Sequence, residues 1–408
     1  MKVKETVKKF IPKFLLNLYH FCWAFFSAVV FGFPGKNKNI KIIGVTGTSG
    51  KSTTTDLITR ILEEAGNKVA SVSSIRFKVG EKEWENKYKM TMPGRYVIQN
   101  FLSDARKAKC QYIVLEITSQ GIEQFRHRFI NFDMAVFTNL TPEHIESHGG
   151  FEKYRNEKLK LFKATKNIHI INTDDENAKY FLDIPVNKKI KFSLRDVKNI
   201  SAKNGISFNF EGQSFNINLS GEFNIYNCLA AICVAKAYNI DLKICQKALE
   251  KAKGISGRME FVAESPIKII VDYAHTPAQL EAVYKTFQEE NMVCVLGSCG
   301  GGRDKWKRPI LGELAKKYCK EIIITNEDPY DEDPEEIINQ VAETAGPNAK
   351  KISNRKEAIE ISIKLAKPGE VVIITGKGSE PWMCLKNGKK IPWDDRQIAR
   401  EALNKINK

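Results

Sequence analysis

A short loop of glycine and hydroxyl residues separates an apolar stretch from a helical one near the start of the chain. Residues 40–45 are mostly apolar and β-branched, and a helical pattern over about 52–66 ends at Gly66. A strand, a glycine-rich loop and a helix in this order bring backbone N–H groups and a lysine to anionic oxygens. We therefore predict a nucleotide-binding loop in which Lys51 neutralises phosphate charge and Ser52 can ligate Mg²⁺. Its residues are Gly47, Thr48, Ser49, Gly50, Lys51, Ser52 and Thr53.

The remainder of the chain alternates apolar runs with helical patterns, which indicates α/β architecture. Apolar runs recur at 69–73, 112–117, 132–138 and 168–172, with helical stretches between several of them. This spacing is typical of a parallel sheet with helices on both faces. After Gly254 the alternation restarts, so Gly254–Gly257 is the expected domain boundary. We predict an apolar N-terminal helix and linker (1–38), a central P-loop-type ATPase domain with a mainly parallel sheet (39–255) and a C-terminal Rossmann-like α/β domain (256–408).

The N-terminal segment combines an uncharged apolar stretch with basic flanks. Residues 14–33 carry no formal charge, and twenty helical residues reach about 30 Å, enough to span a bilayer core. Lysines stand on both sides of it, so the charge bias assigns neither side to the cytoplasm. Lys9, Lys13, Asn17, His20 and Ser27 form a polar stripe at helical spacing. We expect residues 10–33 to contact a membrane surface, with a helix packed on the protein and a true span as alternatives.

Charge and cysteine content narrow the class of protein. The 408 residues include 64 Lys and Arg against 48 Asp and Glu, a net charge of +16 that favours anionic partners. Without zinc-finger spacing, an RNP-like aromatic motif or an Arg-rich arm, we expect no nucleic-acid partner. Nine cysteines without a C-x-x-C pair exclude a disulfide scaffold and indicate mostly reduced, buried thiols in a cytoplasmic protein.

Several motifs together resemble those of one enzyme family. The loop reads GVTGTSGKSTTT, with Val45 where the general phosphate loop has glycine, and TNLTPEHIESHGG, GEFNIYN and GRDKWKRP follow it. These motifs are similar to those of the Mur ligases, the ATP-dependent amino-acid ligases of peptidoglycan synthesis. The resemblance runs through nearly all of residues 40–406 and is strongest to the branch that adds the third residue of the stem peptide. Here only about 39 residues precede the nucleotide-binding part, where that branch carries a full domain for the UDP-sugar.

The resemblance implies catalytic and metal-binding residues after the central strands. Glu116 ends an apolar strand, where carboxylates face the ligand crevice of open α/β sheets. By resemblance, Glu116 and His144 hold Mg²⁺ with Ser52, and Lys158 joins them as a carbamate, an oxygen anion suited to a hard metal. The expected catalytic residues are Lys51, Glu116, His144 and Lys158. Glu143 stands where the family has aspartate.

The resemblance also distributes substrate contacts over both domains. Residues expected to contact ATP beyond the loop are Asn139, Asn224, Arg258, Asp272 and His275; for Asn224, helix capping is the alternative. Residues expected to contact the acceptor are Thr91, Met92, Thr118, Gln124 and Arg126. Residues expected to contact the incoming amino acid are Arg303, Glu327, Asp328, Pro329, Tyr330, Gly376 and Glu380. Met92 and Gln120 depart from the family pattern, which has a hydroxyl and a histidine there.

Tyr330 replaces an arginine that would hold a distal carboxylate, whereas Glu380 could hold a distal ammonium. The added amino acid is therefore expected to be diaminopimelate, lysine or another diamino acid.

The implied reaction phosphorylates the acceptor's carboxylate with ATP and then forms an amide with an incoming amine. We expect a diamino acid to be added to UDP-N-acetylmuramoyl-L-alanyl-D-glutamate in the cytoplasm, either away from the membrane or at its inner face. Alternatives are a related ligase with a lipid-linked or polyglutamate acceptor, and a non-catalytic membrane-attached nucleotide-binding scaffold. Retention of Lys51, Glu116, His144, Lys158 and Arg303 together argues against the scaffold.

Overall fold

The computed structural model describes residues 11–88, 90–202 and 205–406, which divide into two units. The first unit lies within residues 1–142 and 148–253, and the second comprises residues 143–147 and 254–408. Residues 2, 4, 8 and 9, four of the lysines before the apolar stretch, fall outside the described residues, as does residue 10 of the expected membrane contact.

Helices and strands alternate through the first unit. Its helices are α1 (Lys13–Val30), α2 (Lys51–Glu64), α3 (Arg95–Lys107), α4 (Ser119–Glu123), α5 (Ile145–His148, which begins in the second unit's segment), α6 (Phe151–Ala164), α7 (Ala178–Leu182), α8 (Phe223–Ala237) and α9 (Leu242–Glu250). Its strands are β1 (Lys41–Thr46), β2 (Val69–Val72), β3 (Arg76–Val79), β4 (Lys82–Glu85), β5 (Tyr112–Glu116), β6 (Met134–Phe137), β7 (Ile168–Asn172), β8 (Lys188–Phe192), β9 (Val197–Ser201), β10 (Ile206–Phe210) and β11 (Gln213–Ile217).

The main sheet of this unit has the order β4-β3-β2-β5-β1-β6-β7-β8. From β2 to β8 the pairings are parallel, and β3 and β4 add an antiparallel edge. Val45 of β1 pairs with Glu116 of β5, and Thr46 pairs with Phe137 of β6. The carboxyl ends of these three strands therefore meet at one edge, where open α/β sheets bind ligands.

The first unit's core explains why its central helices are apolar. α8 is apolar on all sides, as a helix enclosed by other elements must be, and it packs against α2. Leu57, Ile58 and Ile61 of α2 are fully buried with Leu229 and Ile232 of α8. The predicted hairpin is β10–β11, which pairs with β9 in a separate antiparallel sheet.

The second unit repeats the alternation around another sheet. Its remaining elements are β12 (Glu260–Ala263), β13 (Lys268–Val271), α10 (Pro277–Thr286), β14 (Met292–Leu296), α11 (Lys307–Tyr318), β15 (Glu321–Thr325), α12 (Pro334–Ala345), β16 (Lys350–Ile352), α13 (Arg355–Leu365), β17 (Val371–Ile374), β18 (Trp382–Cys384), β19 (Lys390–Pro392) and α14 (Asp395–Ile406). The order β12-β13-β17-β14-β15-β16 is parallel except for β12. Caps at Thr276 and Asp333, each followed by proline at the first helical position, start α10 and α12. The predicted fold class, α/β with mainly parallel sheets after an apolar helix, is confirmed.

Two of the nine cysteines form a disulfide. Cys294 of β14 forms a disulfide with Cys319, which directly follows α11; the Cα atoms are 6.1 Å apart. All nine cysteines lie in the described residues, and the other seven are not in a disulfide. Spacing along the chain gave no sign of this pair, because a strand and the end of the following helix bring the two residues together.

Helix α1 packs on the first unit through the polar stripe that the sequence places on it. Ala24, Ser27 and Ala28 are its buried residues, and Ser27 donates a hydrogen bond to the carbonyl of Trp23. His20 is hydrogen-bonded to Arg95 of α3. By length and composition α1 could cross a membrane. Within the described residues it packs on the protein surface, and contact of its other side with a membrane surface stays a prediction.

Candidate active site

The glycines of the nucleotide loop stand where the chain has no room for a side chain. Gly50 precedes the first residue of α2 with φ +77°, and a Cβ there would lie 2.2 Å from Oδ1 of Asn227. A Cβ on Gly47 would lie 1.9 Å from the hydroxyl of Thr138. Both neighbours hold the loop: Thr138 donates to the Ser49 carbonyl at 2.8 Å, and Asn227 accepts from Thr54 of α2 at 3.2 Å. The loop is therefore fixed from two sides with its backbone close-packed.

Two lysines lie on carbonyls of this loop. Lys51 donates to the Thr48 carbonyl at 2.7 Å, and Lys158 of α6 donates to the Gly47 carbonyl, also at 2.7 Å. Lys158 is almost fully buried, and its ammonium lies 4.6 Å from the centre of the Tyr154 ring. Lys51 at a helix N-terminus makes this loop favourable for a polyanion.

Asn139 and Asn224 contribute to the loop by different routes. The side chain of Asn139 accepts from the Ser49 amide at 2.8 Å and donates to the Ser49 carbonyl at 3.2 Å. Asn224 donates to the Ser220 carbonyl and accepts from Asn227, so it acts behind Gly50 rather than as the residue that caps α8.

Glu116 stands at the centre of a set of oxygen groups. Its carboxylate accepts from the Ser52 hydroxyl at 2.9 Å, from the Ser74 amide at 2.8 Å and from the Ser74 hydroxyl at 3.2 Å. The Ser74 hydroxyl lies 2.8 Å from that of Thr91. Carboxylate and hydroxyl oxygens are hard donors of the kind Mg²⁺ takes, together with water and phosphate oxygens.

The donor set near the loop therefore fits Mg²⁺ with one protein carboxylate. Within residues 11–88, 90–202 and 205–406, no group of three His, Cys, Asp or Glu side chains is placed to hold a metal ion. Glu116 and Ser52 are the first-unit residues that would hold the ion, with phosphate oxygens of the nucleotide completing its coordination. His144 lies in the segment that belongs to the second unit.

The residues expected to contact the acceptor form a second group in the first unit. Arg126 donates to the carbonyl of Met92 and, at 2.7 Å, to the side chain of Gln124. Thr118 caps α4 by accepting from the Gly121 amide at 3.1 Å. Burial lowers the pKa of Arg126 to about 10, and the charge of Arg95 adds to this effect. Arg126 thus remains cationic at neutral pH and is held by Met92 and Gln124.

In the second unit, His275 and Asp272 organise the segment after β13. Asp272 accepts from the amides of Met259 and Ala274 at 2.7 and 2.6 Å. Burial raises its pKa above the ordinary value for an aspartate, against the opposing effect of Arg258. His275 places one ring nitrogen 2.9 Å from the Glu143 carboxylate, which is 3.4 Å from His144.

The residues expected to contact the amino acid surround a buried lysine that the sequence analysis did not select. Lys377 is 1% exposed and pairs with Asp328 at 2.9 Å and with Glu380 at 2.7 Å. Tyr273 donates to Glu380 at 3.0 Å, and the Arg258 guanidinium lies 4.2 Å from the centre of the Tyr273 ring.

Glu327 and Arg303 lie in the same part of the second unit. The Glu327 carboxylate accepts from Cys299 at 2.9 Å, and a Cβ on Gly376 would lie 2.0 Å from its other oxygen. Burial lowers the pKa of Arg303, but the electrostatic effects of Cys299, Tyr273, Tyr330 and Glu380 raise it above the ordinary value.

Backbone strain is present at three of the candidate residues. His144, Asp328 and Tyr330 have φ between +42° and +56°, a left-handed region that residues other than glycine rarely adopt. Such strain persists only where neighbouring contacts hold it, and it concentrates at functional sites. For Asp328 the contacts are Lys377 and the amide of Cys384 at 2.7 Å.

The structure thus collects the expected residues into local groups, each within one unit. The loop, Asn139, Asn224, Glu116, Lys158 and Thr91 lie around the carboxyl edge of the first sheet. Sequence reasoning missed Ser74, Tyr273 and Lys377, whereas Asn227 stands in the GEFNIYN motif. Tyr273 lies between the selected residues Asp272 and His275, and Lys377 lies between Gly376 and Glu380, so these neighbours were the available signal. Ser74 follows β2 without any motif, and only the parallel pairing of β2 with β5 brings it to Glu116.

The chain matches family models and proteins of one kind over most of its length. Residues 45–235 match the Mur ligase middle domain, and residues 257–378 match the Mur ligase glutamate ligase domain. A UDP-N-acetylmuramoyl-L-alanyl-D-glutamate–2,6-diaminopimelate ligase of Syntrophomonas wolfei is 38% identical over 403 aligned positions, covering 93% of this chain and 81% of that protein.

Solved structures with a similar fold include further ligases and synthases. A UDP-N-acetylmuramoyl-L-alanyl-D-glutamate–2,6-diaminopimelate ligase has a TM-score of 0.62 at 29% identity, covering 91% of this chain and 80% of its own. The folylpolyglutamate synthase of Mycobacterium tuberculosis, solved with ADP and AMPPCP, has a TM-score of 0.73 at 16% identity, covering 90% and 96%. The second likeness concerns the fold alone.

These matches place the protein in a class of ATP-dependent ligases built on this two-part α/β fold. The chain belongs to the Mur ligase family, as its motifs predict.

Proposed function

We propose that this chain joins a diamino acid to UDP-N-acetylmuramoyl-L-alanyl-D-glutamate at the expense of ATP, in the cytoplasm. The observation that carries the proposal is the 38% identity over 403 positions with a ligase named for that reaction, since this alignment includes both groups of candidate residues. That relative takes 2,6-diaminopimelate, which makes diaminopimelate the first amino acid to test.

In this proposal the first unit binds and activates the phosphates. Loop amides and Lys51 hold the phosphate oxygens of ATP, and Asn139 fixes the loop through Ser49. Arg126, with Thr91, Met92, Thr118 and Gln124, binds the acceptor and orients its carboxylate. The carboxylate attacks the γ-phosphorus, ADP leaves, and the acyl phosphate is then attacked by the amine of the incoming amino acid, which releases phosphate and forms the amide.

Mg²⁺, held by Ser52 and Glu116 with His144 as a further ligand, would withdraw charge from the phosphate oxygens. Lys158 lies beside the loop as an ammonium donating to Gly47. Its conversion to a carbamate remains part of the proposal.

The second unit supplies the amino-acid site in this proposal. Arg303 suits an α-carboxylate because a guanidinium can bind it through two hydrogen bonds. Glu380, Asp328 and Glu327 are carboxylates suited to ammonium groups, and Lys377 keeps two of them in place. Arg258, Asp272 and His275 contribute to nucleotide binding from residues 256–408, with 39–255 as the ATP-binding domain and 1–38 as a helix and linker.

The direct test measures product formation by the purified full chain. The chain is incubated with ATP, Mg²⁺, the UDP-linked dipeptide and, separately, meso-diaminopimelate, L-lysine or L-ornithine. We expect one of these to give the UDP-linked tripeptide by mass spectrometry, with one phosphate released per tripeptide. Lys51→Ala should abolish product, and Lys285→Ala, which removes a half-exposed lysine of α10, should leave it unchanged. Absence of product with every diamino acid would overturn the proposal.

A second test separates the amino-acid site from the nucleotide site. Lys377→Met removes the cation between Asp328 and Glu380 while keeping a long side chain. We expect the KM for the amino acid to rise by about tenfold or more, which corresponds to a loss of about 1.4 kcal/mol in binding free energy. The KM for ATP should stay within twofold. A rise in the KM for ATP alone would contradict the assignment.

A further inference from the structure

One face of helix α1 is apolar along its whole length and is exposed. Residues of this face recur every three or four positions from Leu15 to Val30, a distance of about 22 Å. Leu18 is 56% exposed, Trp23 is 45% and Phe26 is 53%. We call this surface the α1 apolar face; its members are Leu15, Leu18, Tyr19, Trp23, Phe26, Val29 and Val30.

The opposite side of α1 is bound to the first unit, so the α1 apolar face has a fixed direction. Ala24, Ser27 and Ala28 of that side are buried, and His20 is hydrogen-bonded to Arg95 of α3. Phe21 and Phe25 lie at its edge, where each ring is 5.6 Å from that of Phe129 and remains partly exposed. Lys13 pairs with Glu123 at 3.6 Å, and Arg106 of α3 donates to the carbonyls of Phe31 and Gly32 at 3.2 Å. Because both ends of α1 are held against the first unit, the whole length of the α1 apolar face is presented to the surroundings, not only one end of the helix.

The composition of α1 and its flanks indicates the chemistry of what covers this face. Lys13 is the one charged residue in α1, and it lies at the first position of the helix. Lys36 and Lys38, both exposed, follow the other end. Tyr19 and Trp23 have an apolar ring and a polar tip, the combination that favours the boundary between headgroups and acyl chains.

A second copy of the chain would complement this surface less well. Antiparallel pairing of two α1 helices would set Lys13 of one copy toward Lys36 and Lys38 of the other, and parallel pairing would set each lysine beside its equivalent. Either arrangement opposes like charges, whereas anionic headgroups at both ends would neutralise them.

We propose that the α1 apolar face binds the surface of an anionic bilayer, with α1 lying in the membrane plane and the first unit on the water side. This binding is independent of ligase activity. It would hold the chain at a membrane without a transmembrane segment, because an in-plane helix keeps its contacts with α3.

The test is sedimentation of the full chain with vesicles of phosphatidylcholine alone and of phosphatidylcholine with about 30% phosphatidylglycerol. The variant is L18E/F26E, which alters two side chains more than half exposed. The matched control is I200E/I406E, which makes the same chemical change at two exposed positions elsewhere. We expect the wild-type chain and the control to sediment with anionic vesicles, and the L18E/F26E variant to bind at least about tenfold more weakly.

A second readout, which needs no charge substitution, is the quenching of tryptophan fluorescence by brominated lipids. We expect brominated lipids to quench the fluorescence of the wild-type chain more than that of the Trp23→Phe variant. Wild-type chain left in the supernatant with anionic vesicles, or equal binding by the two double variants, would overturn the proposal. So would binding that resists an alkaline carbonate wash, since that indicates a span. A dimer in sedimentation velocity that L18E/F26E dissociates, without vesicle binding, would assign the face to a second copy instead.

Discussion

The carboxylate of Glu116 accepts a hydrogen bond of 2.9 Å from the hydroxyl of Ser52, which joins the end of β5 to the first turn of α2. A change to glutamine preserves the size of this side chain and removes its charge. We expect Glu116→Gln to lower kcat by about two orders of magnitude, the scale observed when one charge-stabilising group is removed. The Mg²⁺ concentration giving half-maximal phosphate release should also rise. Glu152→Gln, on the exposed side of α6, should change neither quantity; equal effects from both variants would contradict the role of Glu116.

Gly50 offers a test of the loop's packing. Gly50→Ala would bring a Cβ to 2.2 Å from Asn227, whereas Gly66→Ala, at nearly the same positive φ, meets nothing within 4 Å. Both variants carry the strain of a left-handed alanine, about 1 kcal/mol. Only Gly50→Ala should weaken ATP binding, by about tenfold or more, as measured by titration with a fluorescent ATP analogue. Equal weakening in both would show that backbone strain, not the Asn227 contact, controls the loop.

A buried ion pair holds the strand ends that lead to the candidate amino-acid residues. Arg355 contacts both carboxylate oxygens of Asp395, at 2.9 and 2.7 Å, and donates to the carbonyl of Thr375 at 2.7 Å. Both side chains of the pair are fully buried. Asp395→Asn leaves a buried guanidinium without its counter-charge, so we expect a loss of about 3–5 kcal/mol in the free energy of unfolding by urea titration.

The matched control for this pair is Glu360→Gln, which breaks an exposed ion pair with Lys405 on the same unit. Its urea midpoint should equal that of the unaltered chain, since exposed pairs contribute little. If Asp395→Asn also leaves the urea midpoint unchanged, the ion pair does not hold these strand ends.

The buried side chain of His127 is expected to make the free energy of unfolding depend on pH. Burial lowers its pKa to about 3, and the charges of Arg128 and Lys160 add to this effect. Its Nδ1 has no hydrogen-bond partner among the described residues. In the unfolded chain the pKa is about 6.5, so below that pH the unfolded chain binds a proton that the folded chain does not. This contribution is fully present above pH 6.5 and is lost as the pH falls toward 3.

Between pH 6.5 and 5.0 the loss from His127 should be about 2 kcal/mol in the free energy of unfolding. We expect His127→Gln to reduce the pH dependence measured by urea titration over this interval. An unchanged slope in the variant would show that other groups cause the acid sensitivity.

The sequence predicts the parallel sheets well because their strands are continuous buried runs. The strands β2, β5 and β7, for example, begin and end within one residue of the apolar runs that predict them. The edge strands β3 and β4 were not predicted, since β4 is exposed throughout and its sequence KEWE has no apolar run. Antiparallel pairing of β3 with β2 and of β4 with β3, between residues at most nine positions apart, determines these strands.

In the candidate site, too, contiguous motifs were predicted from the sequence and contacts between distant residues were not. The nucleotide loop is contiguous, so one motif predicts its residues and the structure places Asn139 and Lys158 against it. Ser74 becomes important only through Glu116, 42 positions away, and Lys377 pairs with Asp328, 49 positions away, in addition to the nearby Glu380. Sequence spacing carries no information on the two distant pairs.

The N-terminal helix shows where periodicity leaves a choice. The sequence predicts a polar stripe along α1, and His20 and Ser27 of this stripe face the first unit, whereas contact of the other side with a membrane stays a prediction. Amphipathic periodicity distinguishes the two sides of a helix, and only tertiary contacts determine which side the protein covers.

The central claim, that ATP phosphorylates the acceptor's carboxylate, is tested most directly by isotope transfer. The UDP-linked dipeptide is labelled with ¹⁸O in the reacting carboxylate and converted by the full chain with ATP and the accepted diamino acid. We predict that each released phosphate carries one oxygen from the acceptor, because the bond between that oxygen and carbon breaks when the amine attacks. Unlabelled phosphate formed together with the amide would contradict the claim.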